Sequence, residues 1–321
     1  MNEKLLKFPI LAICSILFLF GAAVAQAAAN PCSEELLRKV PPRAPAALEG
    51  SEFARRVQTM SEHDREAAIE TELLAGNIPA FLRRVVPVSL GGDSGNGQPP
   101  PATICVLPDY LAIGSDRDFL LVPMRLATAI NIAGHYGFTL PTTKMVDAIY
   151  EQSVVHLAPQ PLPAGEQMRS TDYYWHHTEI IRRQEATLGE MPGRLTAGDK
   201  KDLVITNLLW RNLARIAIYG WHRSDHNPIQ PLATVHGARY ADYSHGVRLV
   251  SSTIFVGGEA RSIFDALGDA QLARLLSGEG PIQRVRQLLL ILAAPPAEAA
   301  ANASSVSGSA LPAIRTTASV E

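Results

Sequence analysis

The sequence has few cysteines, no strong excess of either charge, and only one long apolar run. It contains three cysteines in 321 residues, and its formal net charge at pH 7 is −2. A protein that binds the phosphate backbone of nucleic acid normally carries a basic patch, and this near-neutral composition provides no such signal. Beyond the N-terminus no apolar stretch approaches the roughly 20 residues that a bilayer-spanning helix needs. We therefore predict neither nucleic-acid binding nor a later membrane span.

The N-terminus carries the features of a cleavable secretory signal peptide. Lys4 and Lys7 form a positive segment, Phe8 to Val24 is almost wholly apolar, and small alanine residues follow. This order is typical of a signal peptide, and we predict cleavage after residues 1–27. The mature chain is then expected to be extracytoplasmic, either periplasmic or secreted. An uncleaved membrane anchor and a lipoprotein modified at Cys14 are the alternatives.

Two cysteines, Cys32 and Cys105, remain after this cleavage. In an oxidising compartment two isolated thiols usually pair, so we predict a disulfide between them. Such a bond closes a long loop and stabilises the protein mainly by restricting the unfolded chain. Two unpaired, buried thiols are the alternative.

Residues 28–103 are predicted to be a helical N-terminal region that packs on a sheet. Ser61, with Asp64 three residues later, resembles a capping box that opens a helix over His63–Ala75. The glycine- and proline-rich run from Gly91 to Pro101 predicts a flexible surface loop.

Residues 104–294 mix helical and strand-like segments without regular alternation, which predicts one α+β main domain with a mixed or antiparallel sheet. Helices are predicted over Thr142–Gln152 and over Asp172–Leu188, the second with Thr171 as its N-cap.

Short apolar runs in the same part of the chain predict the strands. One is expected over Arg215–Tyr219, and Gly257-Gly258 predicts the turn of a later hairpin. Residues 295–321 consist mostly of alanine, serine, threonine and proline, so we predict a disordered tail there.

The segment from His236 to His245 concentrates the residue types that catalysis uses. It suits a general base, His236 or His245, whose tautomer is fixed by Asp242. It also suits a nucleophilic Ser244 activated by His236, since neighbouring side chains on an extended strand point to opposite faces. A divalent metal, Zn²⁺ first, on His236, Asp242 and His245 is a third reading. The remaining reading is that these groups only hydrogen-bond loops onto the sheet.

The stretch Ser244 to Leu249, together with His236-Gly237 upstream, resembles the signature of the L,D-transpeptidases that cross-link peptidoglycan. That family places its nucleophilic cysteine directly after Ser-His-Gly, where this chain has Val247. The spacing from His236 to Ser244 is also shorter than in the family. The transpeptidase activity is therefore not transferred, and a degenerate relative of the family stays an open alternative.

Several further residues are predicted to bind substrate. Lys200 and Lys201, and later Arg248, suit a carboxylate or an anionic sugar. Trp221 is expected to be exposed in a loop, where its ring would stack on a sugar. Tyr240 is assigned to substrate from its place beside the two histidines. The alternative for the lysine pair is a solvated turn that enters a strand.

These observations lead to a hypothesis of function. We predict a hydrolase or lyase that acts on an envelope or extracellular polymer, peptidoglycan or polysaccharide, by His/Asp acid–base chemistry. His236 is the base, Asp242 orients it, and His245 is a second acid, base or ligand. The first alternative is a non-catalytic envelope or binding protein. The second is a metal-dependent hydrolase with a divalent ion, such as Zn²⁺, as its cofactor; under the other readings the cofactor stays open.

Overall fold

The computed structural model describes residues 30–91, 100–189, 192–224 and 227–294. The predicted signal peptide, most of the predicted glycine- and proline-rich loop, and the predicted tail lie outside the described residues. From Pro31 onward the described chain forms a single body in which helices pack on antiparallel-rich sheets. The predicted α+β class is therefore confirmed.

The described part of the chain contains eight α-helices. They are α1 Gly50–Val57, α2 Glu62–Leu74, α3 Leu126–Tyr136, α4 Thr143–Gln152, α5 Thr171–Leu188, α6 Ile263–Gly268, α7 Ala273–Leu276 and α8 Val285–Ala293. Single 3₁₀ turns lie at Glu34–Leu37, Ala80–Leu82, Glu166–Arg169 and Asn207–Arg211.

Thirteen short strands complete the described elements. They are β1 Val86–Leu90, β2 Ala102–Val106, β3 Ala112–Gly114, β4 Phe119–Leu121, β5 Phe138–Thr139, β6 Val155–His156, β7 Thr196–Ala197, β8 Lys201–Leu203, β9 Ile218–His222, β10 Pro228–Ala233, β11 His245–Gly246, β12 Val250–Val256 and β13 Glu259–Ser262.

Two sheets organise the fold. The larger has the order β1-β2-β12-β13 with β5 also on β12, and all its pairs are antiparallel. The second has the order β10-β9-β8-β11, in which β11 runs parallel to β8. Two-stranded pairs, β3-β4 and β6-β7, lie beside them. The second sheet is the mixed one, and it carries the candidate site.

Several helix starts follow from local side-chain chemistry. Ser61 caps α2 by accepting a hydrogen bond from the backbone N–H of Asp64, as the sequence predicted. Helix α4 is capped by Thr142. The prediction of Thr171 as the cap of α5 was wrong, because Ser170 accepts from the Tyr173 N–H. Thr171 instead lies inside the first turn and accepts a hydrogen bond from Arg65.

Strand predictions were less accurate than helix predictions. The turn at Gly257 and Gly258 joins β12 to β13, and both glycines have positive φ angles, 58° and 88°, which suit a tight hairpin. The strand predicted over Arg215–Tyr219 begins only at Ile218 and runs on to His222. Before Ile218, Arg215 makes only an isolated bridge, so the ladder there is interrupted.

The predicted disulfide between Cys32 and Cys105 is present. It ties the N-terminal segment to strand β2, next to the centre of the larger sheet, across a sequence separation of 73 residues. None of the described helices combines the length and the apolarity that crossing a bilayer demands.

Candidate functional site

The parallel pair β8-β11 brings the His236–His245 segment against the lysine pair. His245 lies opposite Lys201, and Gly246 lies opposite Asp202. A Cβ atom at Gly246 would lie 2.4 Å from the ring of Tyr110 and 2.8 Å from the Cβ atom of Lys200, so only glycine fits between these two residues. The predicted segments from two distant parts of the sequence therefore meet at one strand pair.

Five residues of this segment form what we call the His236 cluster: His236, Tyr240, Asp242, Ser244 and His245. The His236 ring stacks on the Tyr240 ring with centroids 4.1 Å apart. The His245 ring centroid lies 6.0 Å from that of His236 and 5.7 Å from that of Tyr240. His236 and Tyr240 are half-buried at the surface, whereas the other three side chains are buried beneath them.

Asp242 is the acceptor around which the cluster is organised. Its carboxylate accepts hydrogen bonds from the Tyr240 hydroxyl at 2.9 Å and from the Ser244 N–H and hydroxyl at 2.8 and 2.6 Å. The Nε2 atom of His245 lies 3.8 Å from the Oδ2 atom of Asp242. Burial opposes ionisation of Asp242, but His245 and these hydrogen bonds outweigh burial and lower its pKa. Asp242 is therefore the anion of the cluster.

Ser244 is fully buried, and its hydroxyl donates to Asp242. The sequence placed His236 as the partner of this hydroxyl, and the structure gives the position to a carboxylate instead. A nucleophilic role for Ser244 stays a prediction, and no histidine contacts its hydroxyl among the described residues.

The two histidines of the cluster are held in the neutral form. Burial lowers the pKa of His236, against the opposing effect of Asp242. Burial likewise lowers the pKa of His245 to about 4. Within the part of the chain that the structure describes, neither ring nitrogen of His245 has a hydrogen-bond partner. A neutral imidazole near the surface can accept a proton, which is the chemistry that a general base requires.

Lys201 and Trp221 lie against one another beside the cluster. The Lys201 Nζ atom is 4.8 Å from the Trp221 ring centroid, a cation–π distance. Burial lowers the pKa of Lys201, and Asp242 opposes that shift. Among the described residues Lys201 makes no ion pair or hydrogen bond through its ammonium group, so this cation is available to an anion.

The expectation of an exposed Trp221 in a loop was wrong. Trp221 belongs to strand β9, and only 6% of it is exposed. Its backbone N–H donates to the Lys200 carbonyl, and its φ angle is +58°. A bulky residue rarely adopts that left-handed region, and such strain is often found at functional sites. Its Nε1–H is buried without a partner among the described residues.

Lys200 and Arg248, assigned to substrate charge from the sequence, are both buried, with 1% exposed. The Lys200 ammonium lies 3.0 Å from His177 Nδ1 and donates to the Tyr243 carbonyl at 2.6 Å. Arg248 donates to the carbonyls of Leu107 and Thr196 instead of reaching solvent.

These two cations belong to a second group, which we call the Arg248 cluster. Its members are Asp109, Tyr110, His177, Glu185, Asp199, Lys200, Asp202 and Arg248. The Arg248 guanidinium lies 4.3 Å from the Tyr110 ring centroid, and the Tyr110 hydroxyl donates to Asp202 at 2.9 Å. Arg248 also lies 4.0 Å from Asp109. All of these side chains are buried.

Burial suppresses ionisation of most groups in the Arg248 cluster, although not of Arg248 itself, whose pKa is raised by Tyr110 and the nearby carboxylates. Burial raises the pKa of Asp202 to about 7, and burial together with Asp199 raises that of Glu185 to about 7. It lowers the pKa of Lys200 to about 8 and that of His177 to about 2. Both carboxylate oxygens of Asp199 lack a hydrogen-bond partner within the described residues. Buried ionisable groups with shifted pKa values and missing hydrogen bonds occur more often at functional sites than elsewhere.

Sequence reasoning missed Asp109, His177 and Glu185, because each comes from a segment far from the His236 cluster. One signal was present: Asp109 stands between the apolar residues Leu107 and Leu111, where a carboxyl group is forced into the core. A similar signal is absent for Glu185, which follows several charged residues on α5.

The donors predicted for a metal do not assemble as a ligand set. No group of three histidine, cysteine, aspartate or glutamate side chains in the described ranges is arranged to hold a metal ion. Asp242, one of the three predicted ligands, instead accepts hydrogen bonds from Tyr240 and Ser244. The metal-dependent alternative therefore has no geometric support here.

No protein-family model, no curated protein and no solved structure matches this chain significantly. The resemblance to the L,D-transpeptidases thus depends on the short stretch around Ser244 alone. Val247, at the position of that family's cysteine, is completely buried.

Proposed function

We propose that the protein is an extracytoplasmic hydrolase or lyase that acts on an envelope or extracellular polymer, peptidoglycan or polysaccharide. The observation that carries the proposal is the convergence of His236, Tyr240, Asp242 and His245, with His236 neutral and partly open to solvent. This arrangement gives one accessible base above one buried anion, which is the minimum that general acid–base catalysis needs.

His236 is the group that exchanges the proton. As a base it takes a proton from water, for hydrolysis, or from a carbon beside a carboxyl group, for elimination. Asp242 then stabilises the imidazolium that forms, since its charge already favours the protonated ring. The imidazolium returns the proton to the leaving oxygen of the polymer, so that the base is regenerated. Tyr240 keeps the ring in place by stacking on it.

Lys201 supplies the charge that suits an acidic polymer. Its ammonium has no anionic partner among the described residues, and it lies beside the His236 cluster. A carboxylate of the substrate, or the negative charge that develops during elimination, would complete this pair. Lys200 and Arg248 are left out of the substrate contacts because both are buried.

Export is part of the same proposal. The signal-like N-terminus and the disulfide between Cys32 and Cys105 both favour an oxidising compartment. Fractionation of the expressing cells, with mass spectrometry of the N-terminus, tests it. Recovery of the full-length chain from the cytoplasm with free thiols would contradict export while leaving the chemistry of the site untouched.

A non-catalytic envelope or binding protein is the second candidate, and one observation favours it. Asp242 accepts three hydrogen bonds from its own segment, two of them from Ser244, which is what a carboxylate that only shapes a loop would do. In that case the His236 cluster stabilises the segment and performs no reaction.

Activity of the purified protein on cell-wall and polysaccharide fractions, with and without a chelator, separates the candidates. His236→Ala is expected to reduce release of soluble fragments by about 100-fold or more. His63→Ala, at an exposed position on α2, is the matched control and is expected to leave it unchanged. No turnover of any fraction by the unaltered protein would favour the binding protein. A folded His236→Ala with full activity would instead show that another group is the base.

A further inference from the structure

Two cations beside the His236 cluster have no acidic partner. Lys201 lies opposite His245 in the β8-β11 pair, and its ammonium group makes no hydrogen bond or ion pair within the described residues. Arg215 forms an isolated antiparallel bridge to the His236–His245 segment, and its guanidinium donates to the Val235 carbonyl. No carboxylate of the described residues pairs with Arg215 either. Both side chains are partly exposed, so a bound molecule can reach them.

These two cations give the surroundings of His236 a surplus of positive charge. Burial is the main cause of the lowered pKa of His236, and the nearby Lys201 and Arg215 lower it further. Among the described residues, Asp242 is the carboxylate that opposes them. Its oxygens already accept hydrogen bonds from its own segment. Two positive charges therefore stand against one negative charge that is already in use.

The size of this surplus indicates which anion binds. One carboxylate carries a single negative charge and neutralises the surplus, whereas a phosphate monoester carries about 1.5 to 2 negative charges at pH 7 and would reverse it. A guanidinium presents parallel N–H donors that match the two oxygens of a carboxylate, and an ammonium group adds a further charged donor. We therefore expect a carboxylate at Lys201 and Arg215.

The His236 cluster has one carboxylate, whereas glycoside hydrolysis normally uses two. Most glycosidases place a carboxyl group on either side of the bond that they cleave. The cluster contains only Asp242, which is 1% exposed. Elimination beside a carboxylate needs a base that takes a proton from the adjacent carbon, and a cation that offsets the charge developing on the carboxylate. His236 suits the first role, and Lys201 with Arg215 suits the second.

We propose that Lys201 and Arg215 bind the carboxylate of a uronate unit in an acidic polysaccharide, and that the protein cleaves this polymer by β-elimination. Both the binding and the cleavage depend on the proposed function of the His236 cluster as an active site. His236 takes the proton from C5 of the sugar, and the electron pair of that bond forms the C4–C5 double bond. The bond from C4 to the linking oxygen breaks with its electrons on the oxygen. The imidazolium then gives its proton to that oxygen, so no further reactant is consumed.

Titration calorimetry on the full chain tests the carboxylate site. The ligands are trimers of galacturonate, mannuronate and glucuronate, each compared with the galactose, mannose or glucose trimer that lacks the carboxylate. The measurements use His236→Ala, so that the ligand is not cleaved. At least one uronate trimer is expected to bind about 10- to 100-fold more tightly than its neutral counterpart, as hydrogen bonds between charged groups contribute. Added salt is expected to reduce this preference, because it screens exposed charges.

Substitution of each cation shows whether it makes the contact. Lys201→Met and Arg215→Gln are each expected to remove most of the preference, while Lys201→Arg and Arg215→Lys keep it because the charge stays. Arg211→Gln, at an exposed position in the preceding 3₁₀ turn, is the matched control and is expected to bind as before. Lys201 packs on Trp221, so folding of Lys201→Met is checked by circular dichroism. Arg215→Gln leaves that contact intact and tests the site independently.

Digestion of polygalacturonate, alginate and hyaluronan by the unaltered protein tests the reaction. Elimination leaves a sugar ring whose new double bond is conjugated to the carboxylate and absorbs ultraviolet light, whereas hydrolysis leaves no such group. At least one polymer is expected to release fragments whose ultraviolet absorbance and new reducing ends rise in equal molar amounts. Arg215→Gln is expected to lower this rate by about 10- to 100-fold at limiting substrate, and Arg211→Gln to leave it unchanged.

Several results would overturn the inference. Equal binding of every uronate trimer and its neutral counterpart would contradict the carboxylate site, and so would an unchanged preference in both Lys201→Met and Arg215→Gln. Tighter binding of a sulfated galactose trimer than of any uronate trimer would assign the two cations to a sulfate. New reducing ends without ultraviolet absorbance would show hydrolysis instead of elimination.

Failure of the carboxylate site and failure of the proposed function give different results. If another polymer such as peptidoglycan is cleaved, and His236→Ala loses this activity while Arg215→Gln keeps it, the enzyme proposal stands and the carboxylate site is refuted. If the uronate trimers bind through Lys201 and Arg215 but no polymer is cleaved, the enzyme proposal fails and the elimination fails with it.

Discussion

The Arg248 cluster and the His236 cluster lie on opposite faces of strand β8 and are built from similar residue types. Lys200 and Asp202 point to the first cluster, and Lys201, between them in sequence, points to the second. In the first, every ionisable group is buried and several carboxyl pKa values are raised. In the second, one imidazole is partly open to solvent above a single ionised carboxylate.

From this difference we expect the Arg248 cluster to serve the stability of the fold and the His236 cluster to serve a reaction. Buried ion pairs gain little net stability, but removing one partner is costly because the other charge is left without compensation. The Arg248 cluster is therefore expected to respond to substitution mainly through stability. The His236 cluster, which has an accessible member, is expected to respond mainly through activity.

The largest effect is expected for Arg248→Met. This change removes the donor of two carbonyl hydrogen bonds and the cation beside Asp109 and Asp202. The free energy of unfolding should fall by about 5 kcal/mol or more, as measured by guanidinium denaturation. Arg261→Met, in an exposed pair with Glu259, is the control and should cost no more than about 1 kcal/mol. Equal losses of unfolding free energy in Arg248→Met and Arg261→Met would mean that the buried Arg248 cluster is no more important for stability than an exposed ion pair.

Asp202→Asn is expected to change the pH dependence of stability. The pKa of Asp202 is about 7 in the folded protein, above its ordinary 3.8, so the folded chain binds this proton more tightly. The protonated Asp202 therefore contributes to the stability of the unaltered protein at low pH, and this contribution is lost as the pH rises from about 4 to about 7. Relative to the unaltered protein, Asp202→Asn should gain about 4 kcal/mol across that interval. If the free energy of unfolding, measured in urea, varied with pH in the same way for the unaltered protein and for Asp202→Asn, Asp202 would not be buried in its protonated form.

His245→Met is expected to change the pH dependence in the opposite sense. The pKa of His245 is about 4 in the folded protein, below its ordinary 6.5, so the unfolded chain binds this proton more tightly. The unaltered protein loses stability as the pH falls from about 6.5 to about 4, by about 3 kcal/mol from this group. His245→Met should lose less stability over the same pH interval, as measured by thermal unfolding. An identical acid loss in both proteins would mean that the His245 ring is solvated.

Tyr240→Phe should have the smallest effect. The hydroxyl that donates to Asp242 is lost, while the ring that stacks on His236 stays. We expect a loss of about 1 kcal/mol in the free energy of unfolding, together with a higher pKa of Asp242 in an NMR titration. Tyr173→Phe, which loses a 3.3 Å hydrogen bond at an exposed position, is the control. An unchanged pKa of Asp242 in Tyr240→Phe would mean that Asp242 gains nothing from the Tyr240 hydroxyl.

Local signals in the sequence predicted the parts of the fold that local chemistry determines. Ser61 and the turn at Gly257-Gly258 each act within a few residues, so their patterns identify the elements directly. The disulfide was predictable because only two cysteines remained to pair. The α+β class followed from the irregular order of helical and strand-like segments.

The burial of the candidate residues could not be read from the same signals. Lys200, Arg248 and Trp221 are polar or amphipathic, and the sequence placed them at the surface. Their burial depends on contacts with residues far away in the chain, such as His177 with Lys200 and Leu107 with Arg248. The grouping of His236, Asp242 and His245 was easier to anticipate, since ten consecutive residues contain all three. Whether they act on a substrate stays a prediction.

Because the neighbouring side chains of Lys200 and Lys201 lie on opposite sides of the chain at β8, their chemical reactivities can be used to detect separation of the β8-β11 pair. An acylating reagent such as acetic anhydride needs a neutral amine that it can reach, and burial lowers the pKa of both Lys200 and Lys201. Lys201 is half-buried, whereas Lys200 is enclosed beneath Tyr243 and His177. Lys201 is therefore expected to be acylated in the folded state. Lys200 is expected to be acylated only when the β8-β11 pair separates, so its acylation rate measures how often that separation occurs.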